Sequence, residues 1–580
     1  MISRVAGPLV EVRDAGDVAM FEMFSLGDHG LPAETVAIKG DVVTVQAYEY
    51  TGSLAPGDRA TPLGHPLSVD LGPHLLGHVF DGLLRPLTTA PTWLIPGATG
   101  GTTEPTPEPT SPDVEGGPAW WFEPAVDDGT EVTPGTLLGV ARGEGPVECR
   151  ILVPPGLTGT VWSITPAGAY PASATLATVA GRPIGLVTAW PIRRPRPVQR
   201  RVEEAEPLRS GQRVLDLLFP VARGGTAAVP GGFGTGKTVL LQQLAKWCDA
   251  DVIVYVGCGE RGNEMAEVVA ELLALTDPRT GGRLADRTVI IANTSNMPMM
   301  AREASIYTGV TVAEYFRDMG YHTVVIADST SRWAEALREF GSRTGALPAE
   351  EGYPAELASA LAAFYERAGV VDTLGGTRGS VTIVGAVSPP GGDFTEPVTA
   401  HTERFVRCLW TLDRDLAYAR HYPAVSWSAS FSRDAEALAA YHRHTGDPDW
   451  LTRLARVRSL LAEADRLSAL IELVGVSALP DEERVVVLGG RLVREAVLQQ
   501  SALSANDAFC SEQKTAALVE AVLAVVDRCR ELVASGVPAA TVEEVDFGPL
   551  VRTRDETGPT DADGVGAHLR AMLDILGALA

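Results

Sequence analysis

The sequence predicts a multidomain chain with an N-terminal β-barrel, an inserted β-rich module, a central α/β domain and a C-terminal α-helical bundle. Period-two alternation of apolar residues, broken by turn residues, marks residues 1–72. A Gly-x4-Gly-Lys-Thr motif lies between an apolar run and a helical pattern near the middle of the chain. Apolar residues recur every three or four positions after residue 434. At 580 residues, the chain is too long for a single hydrophobic core.

The N-terminal third is predicted to be β-rich in two separate parts. Residues 1–72 should form the barrel, with a strand in residues 41–50, and residues 73–92 a short apolar connector. Residues 93–118 are rich in Pro, Thr and Gly and poor in side chains that fill a core, so a disordered loop is expected there. Strand and turn signals resume at Trp120 and end near Pro191, which predicts the inserted module in residues 119–191.

The remaining residues divide into an α/β part and a helical part. In residues 192–433, runs rich in Val and Ile at 252–256, 288–292 and 323–327 alternate with helical segments, as in a parallel sheet covered on both faces. In residues 434–580, the apolar spacing predicts helices over 451–474, 481–503 and 513–534.

Charge and composition restrict the function classes. The formal net charge of −25 argues against nucleic acid as the main partner, because phosphate neutralisation needs a basic face. The six cysteines have no Cys-x-x-Cys spacing, which argues against a zinc site or a disulfide framework. There is no secretory signal pattern and no apolar run of membrane-spanning length. We therefore expect a soluble chain that serves any membrane process through partners.

The Gly-x4-Gly-Lys-Thr motif predicts a phosphate-binding loop. Glycines allow the backbone to curl until successive N–H groups point inward, and the following helix N-terminus adds partial positive charge. Lys237 is expected to reach the β- and γ-phosphates, and the Thr238 hydroxyl to be a ligand of Mg²⁺. A glycine-rich turn that binds nothing is the alternative, which the strand before the motif and the helix after it disfavour. The predicted nucleotide-binding residues are Gly231, Gly232, Phe233, Gly234, Thr235, Gly236, Lys237, Thr238 and Val239.

Three further positions have residue types suited to ATP chemistry. Glu260 and Arg261 follow a buried strand, and hydrolysis needs a carboxylate for the water and a cation for the phosphate. A solvated surface pair is the alternative. Asp328 ends another apolar run, where a carboxylate can hold the waters of Mg²⁺ or simply cap a helix. Tyr422 is a candidate to stack on adenine or, equally, to fill the core.

The chain resembles the catalytic A subunit of the V/A-type rotary ATPases, the archaeal and bacterial relatives of the vacuolar proton pump. Matching residues include Gly-Glu-Arg-Gly at 259–262 and Asp-Ser-Thr-Ser-Arg-Trp at 328–333. The resemblance extends from end to end and covers residues 7–10, 66–73, 190–197, 211–214, 257–265, 301–309, 328–339, 350–354 and 387–393.

This resemblance implies a RecA-like α/β nucleotide-binding domain, an N-terminal barrel that ties subunits into a ring, and a C-terminal bundle that presses on a rotor. It implies that Glu260 activates the attacking water, that Lys237 and Arg261 bind phosphate, that Thr238 and Asp328 hold Mg²⁺, and that Tyr422 covers adenine. The implied ligands are ATP or ADP with Mg²⁺. The implied activity is ATP hydrolysis or synthesis coupled to proton or sodium transport.

The implied partners are a B-type subunit that supplies an arginine finger in an alternating hexamer, the central rotor stalk, the peripheral stalk and, indirectly, a membrane ion-translocating sector. The implied location is the cytoplasmic face of the cell membrane. Two positions depart from the family pattern. Gly232 stands where proline is usual, and Leu503 where a second adenine-pocket aromatic is common.

Two other functions compete with this one. A non-catalytic nucleotide-binding subunit of the same ring typically lacks one of Lys237, Thr238 and Glu260, all of which are present. Another hexameric motor, an RNA-translocating terminator or a secretion ATPase, is disfavoured by the acidic chain and the inserted β-rich module.

Overall fold

The structure, a computed structural model, describes residues 1–87, 119–345, 347–475 and 479–579. The chain divides into two compact units. The first unit comprises Met1–Glu203 and Ala250–Gly385, and the second comprises Glu204–Asp249 and Ala386–Ala580. The disordered loop predicted at residues 93–118 lies outside the described residues, as does the end of the connector.

The first unit begins with a six-stranded antiparallel sheet in the order β1-β2-β5-β4-β3-β6. Val43 and Val45 are buried while Val42 and Thr44 are only partly so, because successive side chains of a strand point to opposite faces. Ile2 exchanges backbone hydrogen bonds with Gly57 and Asp58, which brings the β1 edge to the segment before β6. The strands are β1 (Ile2–Ala6), β2 (Leu9–Arg13), β3 (Glu22–Leu26), β4 (Leu31–Lys39), β5 (Val42–Ala47) and β6 (Ala60–Pro66).

The inserted module consists of two four-stranded antiparallel sheets, in the orders β10-β13-β15-β16 and β12-β11-β9-β14. After the module, the chain pairs again with the N-terminal part, since β17 (Thr188–Pro191) is antiparallel to β7 (Ser68–Leu71). The module's strands are β9 (Trp120–Pro124), β10 (Glu131–Val132), β11 (Leu137–Arg142), β12 (Cys149–Leu152), β13 (Gly159–Ile164), β14 (Gly168–Tyr170), β15 (Thr175–Val179) and β16 (Arg182–Gly185).

In the rest of the first unit, parallel strands form a sheet in the order β24-β22-β20-β21-β8. Beside it, β23 pairs antiparallel with β24, and β18 pairs antiparallel with β23. The central strands of the parallel sheet are buried along their length, as helices on both faces require. Each of these three strands is longer than the apolar run predicted for it, because polar residues at its end still pair with the neighbouring strand. The strands are β8 (Val79–Phe80), β18 (Arg200–Val202), β20 (Val252–Glu260), β21 (Thr288–Thr294), β22 (His322–Asp328), β23 (Gly369–Asp372) and β24 (Arg378–Val387), and the helices are α3 (Gly262–Ala274), α4 (Met299–Asp318), α5 (Thr330–Thr344) and α6 (Leu357–Tyr365).

The second unit begins with a small α/β part. In it, β19 pairs in parallel with β25, and β25 pairs antiparallel with β26. All five residues of β19 are buried, which anchors the loop that follows. The elements are α1 (Arg213–Leu218), β19 (Thr226–Pro230), α2 (Lys237–Trp247), α7 (Pro397–Phe405), β25 (Cys408–Leu409), α8 (Arg414–Tyr418), β26 (Phe431–Ser432) and α9 (Ala435–His444).

The end of the second unit is helical, as predicted, but the predicted helix 481–503 is wrong at its C-terminal end. Helical structure stops at Leu498, after a short π-helical segment (Arg494–Leu498). The buried Arg213 guanidinium group donates hydrogen bonds to the carbonyl groups of Val497 and Gln499, so these carbonyl groups do not continue the helix and the backbone turns away there. The helices are α10 (Trp450–Val474), α11 (Asp481–Val493), α12 (Glu512–Ala534), α13 (Ala539–Glu543), α14 (Gly548–Glu556) and α15 (Ala562–Gly577). None of the described helices has both the length and the apolar character needed to cross a membrane.

Candidate nucleotide site

The predicted site residues fall into two groups, one in each unit. The phosphate loop (residues 230–238) and Tyr422 belong to the second unit, whereas Glu260, Arg261 and Asp328 belong to the first.

The backbone of the phosphate loop requires glycine at three positions. A Cβ on Gly231 would lie 2.8 Å from Leu412 Cβ and 2.7 Å from Thr235 Oγ1, closer than side chains can approach. Gly234 and Gly236 have φ values of 78° and 85°, in the left-handed region that favours glycine. The motif is therefore explained by the turn that the chain makes between β19 and α2.

The loop opens onto an uncapped helix start. Gly236, the N-cap of α2, makes no side-chain capping bond with any residue in the described ranges, and the first turn of α2 contains no acidic residue. The first N–H groups of a helix lack partners within the helix, so an anion can bind them. The Lys237 ammonium group donates to the Gly231 carbonyl at 2.5 Å, which folds this cation back over the loop. The arrangement can accept a phosphate group.

The outer side chains of the loop face solvent. Phe233 is 95% exposed, and Thr238 and Val239 are also exposed. The Thr235 side chain turns inward instead, and its hydroxyl donates to the Gly232 carbonyl at 2.8 Å. No described atom lies within 4 Å of a Cβ built on Gly232, so packing does not demand glycine there.

Tyr422 lies beside the phosphate loop rather than in the core. Its ring carbons come within 3.7 Å of a Cβ built on Gly236, and the side chain is 45% exposed. The hydroxyl donates to the Ala417 carbonyl at 3.3 Å, and the Tyr422 carbonyl accepts from the Gln500 N–H at 2.8 Å. Tyr422 is thus a partly exposed aromatic residue next to the loop. Leu503, by contrast, is 99% exposed.

In the first unit, Glu260 and Asp328 end neighbouring parallel strands. Gly257 of β20 pairs with Asp328 of β22, so both carboxylates lie at the carboxyl edge of the sheet. The Ser329 hydroxyl donates to Glu260 Oε1 at 3.2 Å. The Tyr255 hydroxyl donates to Asp328 Oδ2 at 3.1 Å, and burial raises the pKa of Tyr255 well above its usual range. Tyr255 is therefore a neutral donor that holds the Asp328 carboxylate in place.

A bulge at Gly259 sets the direction of Glu260. The pairing of β20 with β21 shifts register between Cys258 and Glu260, and Gly259 has a φ of 74°. A Cβ on Gly259 would lie 2.8 Å from Arg332 Cβ and 2.9 Å from Arg302 Cδ. Glycine is thus required both by the backbone conformation and by the two arginines packed against it.

The three arginines near Glu260 differ in their surroundings. Arg261 is at the N-cap of α3 with a side chain 72% exposed, 3.6 Å from Glu264, a surface pair of little energetic value. Arg332 bonds Glu335 at 3.0 Å, and although burial lowers its pKa, this bond and the charge of Glu260 raise it overall. Arg302 donates to the Ser295 carbonyl at 3.0 Å.

Sequence reasoning gave no role to Arg302, Arg332, Ser329 or Gly259. All four lie in runs that match the family, in residues 257–265, 301–309 and 328–339. This match is the only signal in the sequence by which they could have been found. Their spacing along the chain does not reveal their proximity.

The fold and the loop are those of a nucleotide-binding protein, and comparison with family models gives its class. The model described as "ATP synthase alpha/beta family, nucleotide-binding domain" matches residues 211–432, and the "ATP synthase alpha/beta family, beta-barrel domain" matches residues 2–64. The "ATPsynthase alpha/beta subunit barrel-sandwich domain" matches residues 112–193, and the "C-terminal domain of V and A type ATP synthase" matches residues 439–540. These matches confirm the predicted fold class.

Comparison with individual proteins narrows the class. The chain is 48% identical to the V-type ATP synthase alpha chain of Nitrosococcus oceani, over 92% of this chain and 90% of that one. It is 47% identical to the V-type ATP synthase alpha chain of Anaeromyxobacter sp. strain K, over 99% and 98%. It is 44% identical to the A subunit of the A-type ATP synthase of Haloferax volcanii, over 95% and 93%.

The chain therefore belongs to the family of V-type ATP synthase alpha chains and A-type ATP synthase A subunits, the catalytic subunits of rotary ATPases. This membership confirms the catalytic interpretation over the two alternatives. Among solved structures, the assembled ATPase EscN of the enteropathogenic E. coli type III secretion system is similar, with a TM-score of 0.62 and 22% identity over 90% of this chain and 99% of that one. At that identity the likeness concerns the fold alone.

Proposed function

We propose that the chain binds ATP through its phosphate loop and cleaves or forms the terminal phosphate bond with the help of Glu260. The observation that carries this proposal is the conformation of the loop. Left-handed Gly234 and Gly236 turn the backbone in front of an uncapped helix, and the Lys237 ammonium group lies over the turn. Backbone N–H groups at a helix start with an ammonium group beside them are the donors that bind a phosphate group in loops of this kind.

In the proposed reaction each residue has a separate task. Lys237 binds the β- and γ-phosphates, and Arg261, which is exposed and weakly paired, turns toward the phosphates. Glu260 orients the attacking water and accepts its proton. The Ser329 hydroxyl, which donates to Glu260 Oε1, keeps that carboxylate in one orientation. Tyr422 packs its partly exposed ring against adenine.

Each of the two proposed ligands has an oxygen donor that suits Mg²⁺. Thr238 offers an exposed hydroxyl at the first turn of α2, and Asp328 offers a carboxylate that Tyr255 orients. Mg²⁺ prefers such hard oxygen ligands and keeps several waters, completing its shell with nucleotide phosphates. When bound, the ion neutralises phosphate charge. Among the described residues no group of three His, Cys, Asp or Glu side chains could hold a metal.

The proposed assembly is an alternating hexamer with a B-type subunit. Arg302 and Arg332 already have partners in the first unit, so a further cation for the transition state, beside Lys237 and Arg261, is expected from the neighbouring subunit. We also propose that the C-terminal helices contact the central rotor stalk, that a peripheral stalk holds the ring, and that the ring lies on the cytoplasmic face of a membrane ion-translocating sector. Proton or sodium transport would then be coupled to ATP hydrolysis or synthesis.

Two substitutions in the assembled complex test the roles of Glu260 and Lys237. Glu260→Gln is expected to leave ATP binding nearly intact and to lower turnover by more than about a hundredfold, the scale of a lost general base. Glu264→Gln, one helical turn further on, is the matched control and should keep wild-type turnover. Hydrolysis by Glu260→Gln at the wild-type rate would remove Glu260 from the mechanism.

Lys237→Ala should instead weaken ATP binding itself. Lys246→Ala, in the last turn of the same helix, is its control and should bind like the wild type. Binding is measured by equilibrium titration with a fluorescent ATP analogue. Equal affinity in Lys237→Ala and wild type would contradict the role assigned to the phosphate loop.

A further inference from the structure

A cavity of about 320 Å³ lies in the first unit, where the inserted module meets the end of α4. On one side, the cavity is lined by β12 and the residues that follow it, and by the segment from β16 to β17. On the opposite side, it is lined by Tyr315, Asp318 and Met319. The volume is at the lower end of the range for small-molecule sites, roughly 300 to 1,000 Å³. The cavity is formed entirely by the first unit.

The charges that line this cavity are mainly positive. Three arginines, Arg150, Arg182 and Arg196, contribute to its wall, against a single carboxylate, Asp318. The chain as a whole has a formal charge of −25, so a local excess of cations is contrary to its general character. A positive concave surface concentrates anions.

Arg196 is buried and incompletely satisfied. The residue is 9% exposed, and its Nε donates to Asp318 Oδ2 at 2.6 Å. Its guanidinium carbon lies 4.8 Å from the centre of the Trp190 ring and 5.8 Å from that of Tyr315. Its Nη1 is buried without a hydrogen-bond acceptor anywhere in the described ranges. An unpaired buried donor is costly, so the guanidinium group of Arg196 has unmet hydrogen-bonding capacity next to the cavity.

Arg150 and Arg182 provide the more accessible cations. Arg150 donates to the Met319 carbonyl and lies over the Tyr321 ring at 5.2 Å. Arg182 follows the tight turn at Ala180 and Gly181 and is exposed. Neither forms an ion pair with a carboxylate in the part of the chain that the structure describes. Both guanidinium groups therefore retain charge that an anion can neutralise.

The remaining wall is largely apolar. Ile151, Val153, Ile184, Leu186 and Leu374 contribute to it. A simple inorganic anion would leave this surface in contact with water, whereas an apolar group attached to the anion would cover it.

We propose that this cavity binds a small organic anion, with a phosphate or carboxylate group between the arginines and an apolar body against the aliphatic wall. No residue of the phosphate loop lines this cavity. It gives the inserted module a ligand of its own.

Isothermal titration of the full chain tests the site with three probes: phenyl phosphate, benzoate and inorganic phosphate. At least one of the two organic anions should bind saturably with one site, and which of them binds better identifies the headgroup. Inorganic phosphate should bind at least about tenfold more weakly, since it leaves the apolar wall uncovered. Failure of both organic anions to bind would overturn the proposal.

Substitutions then locate the binding. Arg182→Gln and Arg150→Gln should each weaken binding about tenfold, the effect of one lost charge-assisted hydrogen bond. Arg142→Gln removes the same charge from β11 of the same module without lining the cavity and should bind like the wild type. Lys237→Ala should also leave the affinity unchanged. Arg182 is an exposed residue at the start of β16, so its variant should fold, which the circular dichroism melting curve checks. Binding that survives Arg182→Gln, or is lost in Lys237→Ala, would place the probe elsewhere and refute the inference.

Discussion

Replacing Asp507 by Asn is expected to loosen the helical part of the second unit. The Arg213 and Asp507 side chains form an ion pair with no exposed surface, and Arg213 Nη1 donates to Asp507 Oδ1 at 2.5 Å. The other carboxylate oxygen accepts from the Ser501 N–H at 2.7 Å. Both oxygens of Asp507 thus face donors. An asparagine, in either orientation of its amide, places its NH₂ group against one of them.

The size of the effect follows from this geometry. Removing one partner of a buried ion pair costs about 3 to 5 kcal/mol. Asparagine keeps one acceptor, so we expect the lower end, about 3 kcal/mol, which corresponds to about a hundredfold in an equilibrium constant. In the variant, the Arg213 guanidinium group keeps its hydrogen bonds to the carbonyl groups of Val497 and Gln499. We therefore expect local opening rather than loss of the fold.

Hydrogen–deuterium exchange measures this loss without assuming that the whole chain unfolds in one step. Peptides from Arg494–Leu498 and Glu512–Ala534 should exchange about a hundredfold faster in Asp507→Asn. Asp527→Asn is the matched control, because it makes the same change in the half-exposed pair with Arg456, and its effect should stay within about 1 kcal/mol. Equal exchange in the two variants would refute the reasoning that burial makes the Arg213 pair costly to break.

Two further predictions concern Gly259 and His421. Gly259→Ala puts a side chain on a residue with a φ of 74° and places its Cβ too close to Arg302 and Arg332. ATP turnover of the assembled complex should therefore fall by more than about tenfold, while ATP binding is retained. Unchanged turnover would contradict the importance of the bulge. Burial, assisted by the charge of Arg554, lowers the pKa of His421 from 6.5 to about 4. Between pH 6.5 and pH 4, His421 is therefore protonated in the unfolded state but neutral in the folded state. The free energy of unfolding of the second unit should fall by up to about 3 kcal/mol as the pH drops from 6.5 toward 4. His421→Asn should flatten that slope in a denaturant titration, and an identical slope in the variant would show that His421 is not its source.

Features that depend on neighbouring residues could be predicted from the sequence. The phosphate loop is contiguous, and its glycines, lysine and flanking strand and helix follow from the local backbone turn that they impose. The fold class was predictable for the same reason, since the periodicity of apolar residues reports which face of each strand or helix is buried. The position of Tyr422 next to the loop was not, because a tyrosine in that segment could equally have packed in the core.

The sequence by itself determined the order of the parts and the strand, glycine turn and helix around Lys237, and it supplied the residue types from which we propose ATP chemistry. Only the tertiary structure decided that Ser329 bonds Glu260, that Arg302 and Arg332 pack on Gly259, and that the helix after Asp481 ends at Leu498. It also decided that cations from separate segments meet in one cavity beside α4. Each of these outcomes depends on side chains that are distant in sequence, as Arg213 is from Val497 by 284 positions. Local patterns report the conformation of a segment, whereas long-range hydrogen bonds and packing depend on how the segments fold together.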